Sequence, residues 1–350
     1  MVVPPWYELP PPGYGGVEQV CAALVDGLVA RGNQVTLFGA GTDHGTAARF
    51  VSTTPEPQQD RMGAVYPELA HLIRVERVLA DEPFDVVHDH TTAGPLLAAR
   101  RPVPTVATVH GKPVGEFADI LTGVDPAVGL VAISHAQREV RPDLPWSGVV
   151  HNGLDIRTMP RKSKPAAGPV LWLARFVAAK GPDLAVHACR AAGLPLVLAG
   201  KCADDEERQY FDEVIRPMLG PDVTAILNPD RAACLDLLLA ARCLVMPIRW
   251  EEPFGMVMIE AMATGTPVVA LNRGAVPELL NHGETGFICA EPSEMAAALR
   301  DTPAIDPAAC VDHVRAEFSA EVMAHRYEEV YRRRASVGRP EGVPAYASSG

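Results

Sequence analysis

Short apolar runs alternate along this chain with longer stretches whose apolar positions recur every three or four residues. The short runs include QVTLFGA (34–40), FDVV (84–87), PTVATV (104–109), LVAI (130–133), VLWL (170–173), LPLVLAG (194–200), VTAIL (223–227), CLVM (243–246) and VVAL (268–271). Apolar on successive positions and bounded by Gly, Pro or Asn, they read as strands buried on both faces. The longer stretches read as helices, at 17–31, 66–80, 204–219, from 256, from 293 and over 318–334. Strand followed by helix, repeated, predicts an α/β fold with parallel sheets. Val2-Val3 is too short for a full strand, so the chain reads as opening on a stub or lacking its first strand. Residues 42–62 read as a polar surface excursion. On the 66–80 helix, Glu68, Arg74, Glu76 and Arg77 read as a solvated face rather than a lipid-binding one.

The rhythm breaks once. Residues 157–169 (RTMPRKSKPAAGP) are rich in Lys, Arg, Pro and Ala, have no period, and read as a linker. A length of 350 residues also favours about two domains. The expected division is 1–157, 168–317, a helix over 318–335 and a disordered Gly-, Pro- and Ser-rich tail over 336–350.

Composition narrows the partners. A formal charge of −12 disfavours nucleic acid and anionic membrane surfaces. No apolar run reaches the roughly 18 residues of a membrane span, so strong membrane association is not expected. Seven cysteines are scattered without C-x-x-C spacing and read as buried thiols of a reducing, cytoplasmic compartment. His88-x-His90 lacks two further ligands at matching spacing, so no metal is expected. Oligomeric state cannot be read from the sequence.

The most informative stretch is 249–280, RWEEPFGMVMIEAMATGTPVVALNRGAVPELL. An acidic loop ends at Gly255 and runs directly into a helix from Met256, stopped by Thr264-Gly265-Thr266-Pro267. A helix start presents unpaired amides and a partial positive charge, which suits a phosphate. Glu252 precedes that start and Glu260 follows one turn inside it, so two carboxylates flank it. Sugar hydroxyls need such acceptors. A surface loop before an ordinary core helix fits the same string. Elsewhere, the glycines before the 17–31 helix can bring amides to a phosphate or serve a tight turn. Arg175 and Lys180 bracket a strand-to-helix loop, where a diphosphate would find a forked and a point cation. His88, His90 and His110 stand at strand exits, where open α/β sheets bind ligands. Ser134 reads as a helix N-cap.

Taken together, Glu252-x7-Glu260, the continuation EAMATGTPVVA and the Pro277-Glu278 pair resemble the family-4 retaining glycosyltransferases. The likeness covers about 10–335. It adds the Gly-Gly loop at 15–16, a Thr-x-His-Gly motif ending at His110-Gly111, Asn152-Gly153-x-Asp155, and Arg175 to Lys180-Gly181. It departs at Ala174 and at Asn228-Pro229, where glycine is usual. The resemblance implies a GT-B fold: two Rossmann-like domains facing across a cleft, with the 318–335 helix crossing back to the first. It implies metal-independent transfer of a sugar, with retention, from a nucleotide-diphosphate donor to a hydroxyl acceptor. A uridine diphosphate sugar is the default donor, and the acceptor is a saccharide or small molecule in a bacterial biosynthesis. His110, Glu252, Arg175 and Lys180 are the implied catalytic residues. Gly15, Gly16, Phe254, Gly255, Met256, Val257 and Glu260 are the implied donor-binding residues, with Glu260 on the ribose. His88 and His90 are expected to line the acceptor side. A nucleotide-sugar epimerase of the same fold and a noncatalytic nucleotide-sugar binding subunit are the competing readings.

Overall fold

A computed structural model describes residues 1–11, 15–42, 45–101 and 103–336. The expected tail beyond Ser336, part of the Gly-rich loop (12–14) and two residues of the polar excursion (43–44) lie outside the described residues.

The first half builds one parallel sheet from β1 (Thr36–Ala40), β2 (Arg49–Thr54), β3 (Val87–Asp89), β4 (Thr105–Val109), β5 (Gly129–Ala132) and β6 (Trp146–Val149). β1 pairs with β2, and β3 to β6 pair in sequence order. The stub Met1–Val3 lies between β1 and β3. The Val2 amide donates to the His88 carbonyl at 2.8 Å, and the Phe38 amide donates to the Met1 carbonyl at 2.8 Å. Val2 and Val3 are fully buried, so three residues complete the sheet.

The expected strand at 84–87 begins only at Val87, opposite Thr105, the first residue of β4. Pro104, just before that strand, has no amide with which to extend the ladder. Its carbonyl accepts from the Val87 amide at 2.9 Å, which sets the register.

The second half forms a six-stranded parallel sheet from β7 (Val170–Leu173), β8 (Leu196–Gly200), β9 (Val223–Leu227), β10 (Leu244–Met246), β11 (Val268–Leu271) and β12 (Gly286–Cys289), in the order β12-β11-β10-β7-β8-β9. β7, β10 and β11 are buried at every position, as covered parallel strands require. The expected single helix over 204–219 is instead an α-turn, a π-turn and a 3-10 turn, Asp205–Tyr210, Phe211–Ile215 and Arg216–Met218. Pro217 lacks an amide and crowds the preceding turn, which ends regular helix there.

Two devices join the halves. Glu278, at a short helix of the second half, accepts from the His135 and Ala136 amides at 2.8 and 2.7 Å and pairs with His151 Nε2 at 2.9 Å. Burial pushes its carboxyl up, but His151 and the two amides outweigh that and hold it below the usual range. The long helix Ala320–Ser336 packs on the helix Gly16–Ala30, placing Met323, Tyr327 and Val330 in one cluster with Val20, Leu24, Leu28 and Val106. The 155–169 stretch carries no regular element and docks on the second half through Lys162, whose ammonium donates to the Ala241 carbonyl at 2.6 Å.

The outward side of the helix Val65–Asp81 exposes Val65, Tyr66, Leu69 and Ile73 beside its charges. Among the described residues no helix is long and apolar enough to cross a membrane.

Candidate active site

A cleft of about 1280 Å³ runs between the two sheets. It is lined by strand exits and helix starts, the place where open α/β sheets gather ligands. The eleven residues implied to be catalytic or donor-binding line it: His110, Arg175, Lys180, Glu252, Gly15, Gly16, Phe254, Gly255, Met256, Val257 and Glu260.

The loop 249–255 enters the helix Met256–Ala263 through Gly255, which has φ 99°. That left-handed backbone disfavours any side chain, and a Cβ there would lie 2.2 Å from Met258 Cε, so the methionine tip would also have to move. This turn leaves the Met256 and Val257 amides without an acceptor among the described residues. Gly274 (φ 54°) presses on the same loop: a Cβ there would lie 2.2 Å from the Glu252 carbonyl oxygen. The Ala275 amide donates to that carbonyl at 2.9 Å, and Ser134 Oγ, while capping its own helix, donates to the Pro253 carbonyl at 2.6 Å. The loop is thus held by both halves of the molecule.

Lys180 and Glu252 form an ion pair, and Trp250 Nε1 donates to the same carboxylate oxygen at 2.9 Å. The Lys180 ammonium also lies 5.0 Å from the centre of the Trp250 ring. Arg175 Nε is 3.5 Å from Glu207, a fully buried carboxylate that also closes the capping box of its own helix. Glu260 pairs with Arg231 at 2.6 Å; burial raises its carboxyl while Arg231 opposes that rise.

Across the cleft, His110 Nε2 and His90 Nδ1 share a hydrogen bond of 2.9 Å. Burial pulls His110 down to about 4, so it is neutral near pH 7.

His88 and His90 do not line the cleft, contrary to expectation. His88 is buried against the C-terminal helix, bonded to Tyr331 and Thr108 at 2.7 Å each. His90 stands behind His110, its Nε2 buried and without a hydrogen-bond partner among the described residues. Further donors missing from the His-x-His spacing do meet in space: Cys21, His90 and His110 place one donor atom each within 4.8 Å of one another. Burial holds the Cys21 thiol far above its ordinary range, which disfavours the thiolate a metal needs.

Asn152, from the Asn-Gly-x-Asp motif, also lines the cleft, as do Arg231, Trp250 and Lys201, to which sequence reasoning assigns no role. Asn228 takes φ 53°, so an asparagine adopts the left-handed turn that glycine usually fills there.

Two family models match the chain in tandem: Glycosyltransferase Family 4 over residues 14–158 and Glycosyl transferases group 1 over residues 161–302. The chain belongs to the family-4 glycosyltransferases and has their GT-B fold. It is 28% identical over 356 residues to the phosphatidyl-myo-inositol mannosyltransferase of Mycobacterium leprae, covering 93% of this chain and 89% of that one. It is 27% identical over 365 residues to the glycogen synthase of Mycobacterium tuberculosis, covering 89% and 87%. Among solved structures, AviGT4, a glycosyltransferase involved in avilamycin A biosynthesis, superposes with a TM-score of 0.75 at 26% identity, covering 95% of this chain and 94% of that one.

Proposed function

We propose that this glycosyltransferase moves a sugar from a nucleotide-diphosphate donor to a hydroxyl acceptor, with retention and without a metal. The observation that carries the reading is the convergence of Arg175, Lys180 and the open Met256 and Val257 amides on one wall of the cleft, facing Gly15, Gly16 and His110. Two cations and a helix start offset the charge that develops on a leaving diphosphate. Glu252 accepts from donor-sugar hydroxyls and Glu260 from the ribose. Phe254 and Gly255 shape the turn on which the phosphate rests. The acceptor hydroxyl attacks from the face the diphosphate leaves, and its proton passes to a departing phosphate oxygen. Neutral His110 supports the sugar as positive charge develops at its ring. The opposite wall carries Glu8, Glu56 and Asp60 and no Lys or Arg among its described lining residues, which favours a hydroxyl acceptor without phosphate. Seven free cysteines favour a reducing compartment, the cytoplasm.

A melting-temperature screen with UDP, GDP and ADP tests the donor site, since a ligand that binds only the folded form raises the midpoint. At least one is expected to raise it, with UDP the first choice. Lys180→Ala and Glu252→Ala should each lower kcat by about 10²-fold or more, the scale of losing one charge-stabilising group, while the fold survives. Near-normal turnover by both purified variants would refute the assignment. The anomeric configuration of the product, read by NMR, tests retention.

A further inference from the structure

The helix Arg231–Ala240 begins at the inner end of the cleft, with Asp230 as its N-cap accepting from the Ala233 amide at 2.8 Å. Its first residue, Arg231, sends Nη1 to Glu260 Oε1 at 2.6 Å. Its second terminal nitrogen, Nη2, lies 3.9 Å from Met159 Sδ, so the side chain is fixed from both sides. Arg231 and Glu260 both line the cleft. Glu260 is 7% exposed, and its second oxygen, Oε2, meets no hydrogen-bond donor among the described residues. The guanidinium therefore occupies one oxygen and leaves the other open.

We infer that Arg231 is a positioning residue for donor binding, holding the Glu260 carboxylate so that its open oxygen accepts from the nucleotide ribose. This rests on the donor reading above. A carboxylate buried alone gives up its charge. Burial already raises Glu260, and Arg231 is the group that opposes it. The other titratable neighbour is Cys234 on the same helix, whose thiol burial also pushes up and keeps neutral near pH 7. It supplies no counter-charge. An ionised carboxylate offers only acceptors, whereas a protonated one turns one oxygen into a donor. The ion pair thus fixes both the direction and the hydrogen-bonding character of the group facing the ligand. Lys180 serves Glu252 in the same way on the other side of the helix start, so each acid of the pair has its own cation.

The test is calorimetric binding of UDP, GDP and ADP between pH 5.5 and 8.5 to the wild type, R231M, R231K and E260Q. Affinities are read as ratios to the wild type at each pH, because the terminal phosphate of each nucleotide itself titrates at about pH 6. Without the guanidinium, Glu260 keeps its proton to higher pH. R231M should therefore bind about tenfold or more weakly near pH 6, the effect of one pKa unit or more, and recover as pH rises. R231K should restore most of the affinity, and E260Q should be weak at every pH. R231Q carries the same pH expectation should R231M not fold. A loss in R231M that does not vary with pH would mean that Arg231 only fills space, and no loss would mean that it does nothing for the donor; either overturns the inference. A wild type that binds none of the three nucleotides overturns the donor reading itself, and this inference with it.

Discussion

Four histidines in the first half are held neutral by burial, and they differ in what they do. His110 reaches the cleft, while His88, His90 and His71 are enclosed. His71 shares a bond of 2.6 Å with Thr53 and is pulled down to about 4, like His110. His88 and His90 are held well below their ordinary range by the same cause. The sign of the consequence is fixed. A histidine whose pKa is lower folded than unfolded leaves the unfolded chain binding more protons between the two values. Its stability is fully present above about 6.5 and is lost as pH falls towards 4. Between about pH 6.5 and 4.5 His71→Gln should therefore lose less of its urea midpoint than the wild type, whose full profile also carries the buried Met1 amine, lowered to about 5, and the Glu18 carboxyl, raised to about 7. Equal losses in the two proteins would show that the His71 imidazole titrates normally. The same lowering removes His110 as a source of any rate inflection near pH 6.5. A kcat profile that drops through that value in the wild type but not in His110→Gln would contradict the neutral role.

At the scale of elements, the strongest local device is the meeting of two loops. Gly274 holds φ 54° directly over Glu252, and the Gly274 amide donates to Glu251 at 2.5 Å. A side chain here meets backbone rather than a movable tip, so relief requires moving the 249–255 loop. Gly274→Ala should cost roughly 1–3 kcal/mol of stability, the scale of a strained residue, and should weaken nucleotide binding by shifting Glu252 off Lys180. Thermal unfolding with and without UDP reads both, and an unchanged midpoint would remove the loop contact from consideration. This element also shows what the sequence makes legible. Loop, glycine, helix start and both acids are contiguous, so spacing alone puts them on one small surface. Arg175 and Lys180 bracket a single loop and were readable for the same reason. The Arg231–Glu260 pair joins two helices across 29 positions, and nothing local in PDRAACL announces it. His88 and His90 were misread because a strand exit fixes where a residue stands but not which neighbour covers it. The covering element, Ala320–Ser336, arrives from the far end of the chain.

At the scale of the whole molecule, that last helix is the tie between the ends of the sequence. Its entry is fixed by Leu154 and Ala320, whose backbones bond at 2.8 Å. The Ala320 carbonyl then approaches the helix Gly16–Ala30 so closely that a Cβ on Gly27 would lie 2.8 Å from it. Tyr327 is the centre of the contact: it is 1% exposed, and its hydroxyl shares a bond of 2.8 Å with Thr108, which also holds His88. Nothing on this helix lines the cleft, so its work is to stabilise the first half behind the site. Tyr327→Ala should then cost about 3–5 kcal/mol, as for other buried aromatics cut to alanine. Most of the donor-side lining belongs to the second half, so a nucleotide should still raise the midpoint of this variant by a similar increment. Differential scanning calorimetry with and without UDP separates the two effects. A midpoint equal to wild type would show that the helix is not needed for stability. A lower midpoint with no response to nucleotide would show instead that the helix sets the geometry of the cleft, through the chain of contacts from Tyr327 to Thr108 and the strand that leads into His110.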